Sequence, residues 1–83
     1  MAHFALVDDS NTVREVIVLG NDDCGGGNFP DSEPIGQAFI ASCGLNGTWL
    51  QTSYSGSFRS KYAGIGDLYV AESDEFVSST AGA

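Results

Sequence analysis

Residues 13–19, Val-Arg-Glu-Val-Ile-Val-Leu, constrain this chain more than any other stretch, because they stand directly behind the turn cluster Asp8-Asp9-Ser10-Asn11. Asp, Asn and Ser hydrogen-bond their own backbone, and Asp and Asn tolerate left-handed conformations. A β-branched run favours a pleated, packed surface. Ahead of the turn, residues 3–7, His-Phe-Ala-Leu-Val, place Phe4 and Leu6 on one face of a strand. The two segments read as a β-hairpin. Its second strand is nearly all apolar after Glu15, so both of its faces need cover from the rest of the chain or from a partner.

The glycine-rich stretch from Gly20 to Asp31 reads as a loop. Ser32-Glu33-Pro34 then starts a helix: Ser32 as cap, Glu33 at the positive dipole end, Pro34 in the only turn that accepts it. The helix is expected to run to about Cys43, with Ile35, Ala38, Phe39 and Ser42 on one face and Gly44 ending it. Gly36 inside it costs up to about 1 kcal/mol, so the helix needs tertiary support. Residues 48–54 read as a third strand, with Trp49, Gln51 and Ser53 on one face and Leu50, Thr52 and Tyr54 on the other. Residues 67–71 and 75–78 read as a last hairpin turning at Ser73-Asp74. The fold class expected is therefore α+β: a small antiparallel sheet of two hairpins plus a central strand, with one α-helix packed on one face. Residues 1–78 form a single domain, and 79–83 are expected to be a flexible tail of small residues.

The chain has 83 residues, and a domain of that size buries only about 60% of the surface its unfolded chain exposes. Its core is thin. Eleven acids stand against three bases, Arg14, Arg59 and Lys61, for a net charge of -8. That balance argues against nucleic acid and against anionic membranes, since both repel it. Protein partners are what it favours. No stretch approaches the roughly 18 apolar residues of a membrane span, and Met1-Ala2-His3-Phe4 does not open a signal peptide, so a cytoplasmic origin is expected. In that compartment Cys24 and Cys43 are expected as reduced thiols, Cys43 packed on the helix and Cys24 in the loop; a disulfide between them, worth about 3 kcal/mol, is the alternative.

No residue set composes a catalytic or metal site. His3 is the only histidine, and with Cys24 and Cys43 it lacks zinc-ligand spacing. Counted from Asp8, a calcium loop needs Gly sixth and Glu twelfth; Val13 and Leu19 stand there. The Cys24-Gly25-Gly26-Gly27-Asn28 run lacks the Lys and Ser/Thr of a phosphate loop. No nucleophile has a base placed beside it. Catalytic residues, cofactors and metals are all expected to be none, and the chain reads as a non-enzyme.

The segment 54–66 holds Tyr54, Phe58 and Tyr62 together with Arg59 and Lys61. An aromatic, Arg-bearing loop either folds back over the core or anchors an interface. For an interface the candidates are Phe58, Arg59, Tyr62 and Ile65.

Several blocks together carry a resemblance: the opening Met1-Ala2-His3-Phe4-Ala5 with Asp8 and Asn11, the Thr48-Trp49-Leu50-Gln51-Thr52-Ser53-Tyr54 strand, Phe58-Arg59, and Tyr62-Ala63-Gly64-Ile65-Gly66. Across residues 1–77 the chain resembles a group of short, largely uncharacterised virion-associated proteins of marine and cyanobacterial tailed phages. Members usually continue into a Pro- and Trp-rich stretch, where this chain has Ser79-Thr80-Ala81-Gly82-Ala83. The resemblance implies a virion structural protein, made in the host cytoplasm. The first expectation is a capsid decoration (cement) protein stabilising the shell through contacts with the major capsid protein or other virion proteins, and with copies of itself. The alternatives are a tail, neck or fibre component, or an acidic non-virion protein that acts on the host.

Overall fold

The hairpin forms where the turn cluster places it. In the computed structural model, which describes residues 1–78, strand β1 (Ala2–Val7) pairs antiparallel with β2 (Val13–Leu19). The Asp8 carboxylate closes the turn by accepting from the N–H groups of Ser10 and Thr12 at 2.9 and 3.0 Å. Asn11 takes the left-handed conformation, φ 63°.

A bulge at Leu6/Val7 shifts the register by one residue, so that β2 after it presents Ile17 and Leu19 to one face and Val16 to the other. Strand β3 (Thr48–Thr52) pairs with the other side of β1, giving the order β2-β1-β3. Within its length the expected faces hold: Trp49 packs with Phe4, and Leu50 lies against the opposite cluster.

The helix α1 (Ser32–Ser42) covers the Phe4 face, so the α+β class and the helix-on-sheet layering hold. Gly44, at φ 84°, ends the helix: its N–H donates to the Ala41 carbonyl and the Leu45 N–H to the Ile40 carbonyl, closing the Schellman arrangement. Two readings of this helix are corrected. Its buried side is Ser32, Gly36 and Ile40, with Phe39 partly buried, while Ile35 is 47% exposed and Ala38 and Ser42 face outward. Gly36 takes that side because the Phe4 ring lies too close for anything larger than glycine there. Ser32 is also not the cap. Asp31 precedes the helix without a side-chain cap, and the Ser32 hydroxyl donates to Gln51 Oε1 at 2.8 Å inside the protein.

The last hairpin, β4 (Leu68–Val70) and β5 (Glu75–Val77), turns through Asp74 as expected but forms its own two-stranded sheet. It covers the second face of the larger sheet, where Ala5, Val7 and Val13 pack with Ala63 and Phe76. The main sheet is thus buried on both sides, by α1 and by the 57–77 segment. The third strand ends at Thr52, two residues earlier than expected, because the Ser53 hydroxyl accepts the Ser57 N–H at 3.0 Å and starts a turn. The tail expected over 79–83 lies outside the described residues.

Both cysteines are free, with their burial reversed from expectation. The loop 20–31 contains a 3-10 turn, Asn21–Cys24, that inserts Cys24 beneath α1, whereas Cys43 at the helix end is exposed. Burial, and secondarily the Asp23 charge, push the Cys24 thiol up. A thiol reagent is expected to label the native chain once, at Cys43, with Cys24 reacting only after denaturation; mass spectrometry of labelled peptides checks this.

Candidate interaction surface

The aromatic segment after β3 folds back over the protein and is pinned along its length. Thr52 Oγ1 accepts the buried Ala63 N–H at 2.9 Å, and Asp67 Oδ2 accepts the Gly64 N–H at 2.8 Å and Lys61 Nζ at 2.6 Å. Phe58 stacks face to face on Phe29, with centroids 3.9 Å apart.

Arg59 is the centre of this arrangement. Its side chain is only 8% exposed. Its guanidinium donates from two nitrogens to the Glu33 carboxylate, from Nη1 to the Gln51 carbonyl at 2.9 Å, and from Nε to Asp74 at 2.8 Å. The charge also lies 5.0 Å from the Phe29 ring and 5.7 Å from the Tyr69 ring. Its backbone takes the left-handed conformation, φ 55°, and its carbonyl accepts the Phe76 N–H at 3.0 Å. One residue thereby joins α1, β3, β4 and β5. Of the four interface candidates, Arg59 is turned to partners within the chain, Phe58 and Tyr62 are half-buried, and Ile65 is 75% exposed.

A group missed from the sequence lies beside Tyr62. His3, Tyr54 and Tyr62 form a ring trio: His3 stacks on Tyr54 at 5.4 Å and meets Tyr62 edge-on at 5.6 Å, and the two tyrosines are 5.1 Å apart. Tyr54 is 73% exposed. It borders a shallow cavity of about 290 Å³ that also reaches His3, Ser53 and Phe58. Strand register explains the trio: His3 is opposite Thr52, so a side chain two residues beyond Thr52 can reach it. Desolvation, with the N-terminal ammonium adding to it, holds His3 below its ordinary value.

Every base has an acidic partner: Arg14 with Asp8, Arg59 with Glu33 and Asp74, Lys61 with Asp67. The outward charge is left to acids, Asp9, Glu15, Asp22 and Asp23 among them. Hydrogen bonds from the Ser10 hydroxyl and the Thr12 N–H, together with Arg14, hold Asp8 well below the carboxylate range. The Tyr69 hydroxyl and Arg59 lower Asp74 against its partial desolvation. A depressed carboxylate contributes stability above its unfolded value, about 4, and loses it as pH falls through the folded value. The thermal midpoint is therefore expected to fall steeply below about pH 4, and Asp8→Asn to flatten that decline; circular dichroism melts across pH read both.

Among the described residues no group of three or more His, Cys, Asp or Glu side chains is placed to hold a metal, and no helix is long and apolar enough to cross a membrane. In comparisons with known proteins, no family model, curated protein or solved structure matched the chain.

Proposed function

We propose that the chain is a binding module, and specifically a virion structural protein that decorates a phage capsid and strengthens the shell by protein–protein contact. The observation that carries the binding part is the His3–Tyr54–Tyr62 trio, with Tyr54 73% exposed above a pinned base. A large aromatic held on a rigid support loses little entropy on docking and removes much surface from water, which is what interface anchors do. Ile65, 75% exposed, adds apolar surface within the same pinned segment. The virion part rests on the resemblance of residues 1–77 to the short phage proteins. The major capsid protein is the partner this reading names.

The test is the copy number of this chain in purified particles, by quantitative mass spectrometry against the major capsid protein. About one chain per capsid subunit, or about one per three, is what a symmetric decoration requires. A small fraction of that would move the chain to tail, neck or fibre, and absence would end the virion reading in favour of a host-directed acidic protein. Tyr54→Ala with Ile65→Ala is expected to remove the chain from particles while its circular dichroism stays unchanged, since neither side chain is buried.

A further inference from the structure

The two outer edges of the main sheet are treated differently. Along β3 the edge is sealed by side chains: Gln37 Nε2 donates to the Trp49 carbonyl at 2.6 Å, the Gln51 N–H donates to Glu33 Oε2 at 2.8 Å, and Arg59 Nη1 donates to the Gln51 carbonyl at 2.9 Å. Along β2, among the described residues, only the first residue is covered. Val13 exchanges backbone hydrogen bonds of 2.8 Å with Gly66 and Asp67, and Thr12 bridges to Leu68. From Arg14 to Leu19, among the described residues, β1 alone supplies strand pairing. The register from Glu15 to Leu19 is unbroken, and this stretch contains neither Lys nor Pro. Lys and Pro are two of the devices that ordinarily blunt an edge; the others here, the bulge and the charges of Arg14 and Glu15, are confined to the start of the strand. Val16 and Ile17 are half-buried and Val18 is 49% exposed, so the edge is apolar on both faces.

Charge selects the occupant. Glu15 sits on the strand, Asp9 lies in the turn before it, and Asp22 and Asp23 lie in the 3-10 turn after it. The edge's own base, Arg14 at its first position, is 63% exposed and is paired with Asp8 at 2.6 Å. A second copy of a chain of net charge -8 would bring its own acids against these. We propose that the outer edge of β2, residues 14–19, takes as a fourth strand an extended basic segment of a partner protein, in which Lys or Arg alternates with apolar residues. Main-chain hydrogen bonds supply the affinity, and the flanking carboxylates select the basic sequence. The inference rests on the reading of the chain as a binding module, not on its place in a particle.

The test titrates a blocked peptide of alternating lysine and valine, matched in length to β2, into the ¹⁵N-labelled full chain, with a lysine–proline peptide of equal charge as control. The expected result is amide shifts gathered at residues 14–20, new exchange protection there, and cross-strand contacts between peptide and β2 α-protons, with the proline peptide inert. Glu15→Lys with Val18→Lys should weaken the peptide by about tenfold or more while leaving the circular dichroism unchanged. Equal response to both peptides would mean charge alone and would overturn the proposal. So would shifts centred on Tyr54 and Tyr62, no binding, or dimerisation of the free chain through β2 in sedimentation. Particle copy number is measured independently, so loss of the virion reading leaves this result standing, and the reverse also holds.

Discussion

Arg59→Ala is expected to lower the thermal midpoint by on the order of 20 °C, or to leave the chain unfolded at room temperature. The substitution removes a guanidinium that is 8% exposed, takes the Gln51 carbonyl's side-chain donor away, and leaves the Glu33 and Asp74 carboxylates without their cation, with only the Gln51 N–H and the Tyr69 hydroxyl still donating to them. Removing one partner of a buried ion pair costs about 3–5 kcal/mol. A domain with so thin a core has about 5 kcal/mol to lose, at the low end for folded proteins. Each kcal/mol moves the midpoint of a chain this size by about 4–8 °C. Arg59→Lys keeps the charge but not the fork and should fall between. Glu33→Gln on the Arg59→Ala background should recover part of the loss, because an uncompensated buried charge costs more than an absent pair. Melts followed by circular dichroism decide this, and a shift of only a few degrees in Arg59→Ala would show that the guanidinium does not hold the elements together.

Gly36→Ala tests the packing of the helix, and its sign is the informative part. Helix propensity alone predicts a gain of up to about 1 kcal/mol. The structure predicts a loss. A Cβ at position 36 would lie 2.3 Å from Phe4 Cζ, 2.7 Å from Phe4 Cε1 and 3.0 Å from Cys24 Sγ. Phe4 is fully buried in the central strand, so it cannot swing aside without opening the core around Ile40 and Trp49. Overpacking of this kind costs about 1–3 kcal/mol, and Gly36→Val should cost more than Gly36→Ala. A midpoint that rises in Gly36→Ala would mean that α1 rides higher on the sheet than described.

The glycine illustrates how much of this protein is readable in one dimension. The hairpin, the helix with its end at Gly44, the faces of β3 and the turn near Asp74 follow from short-range rules that act within a few residues: Asx hydrogen bonds, β-branching, period-two alternation and left-handed glycine. Such rules misplace the helix face because Ile35 and Ala38 are more apolar than Ser32 and Gly36. The ring of Phe4 reverses that order, and no local signal carries its position. Composition puts Cys24 in a loop, yet the 3-10 turn tucks it under the helix.

Among the interface candidates, Ile65 stands exposed, whereas Arg59 was legible only as an unusual charge in an aromatic loop. Its partners Glu33 and Asp74 are far off in sequence, on either side, and nothing in local spacing couples them. His3 joins Tyr54 and Tyr62 because β3 returns beside β1, which is a matter of strand order.

The amino-acid sequence by itself determined the α+β class, the hairpin and the helix stop, together with a strongly acidic charge balance. Tertiary structure alone decided which side of the helix is buried, that the last hairpin forms a second sheet over the other face, and that all three bases are consumed within the chain. Among the described residues it also left β2 unpaired beyond Val13 on its outer side while sealing β3. The physical reason is range. Backbone preference acts over a few bonds, but burial, ion pairing and edge protection depend on which distant segments the packed sheet brings together.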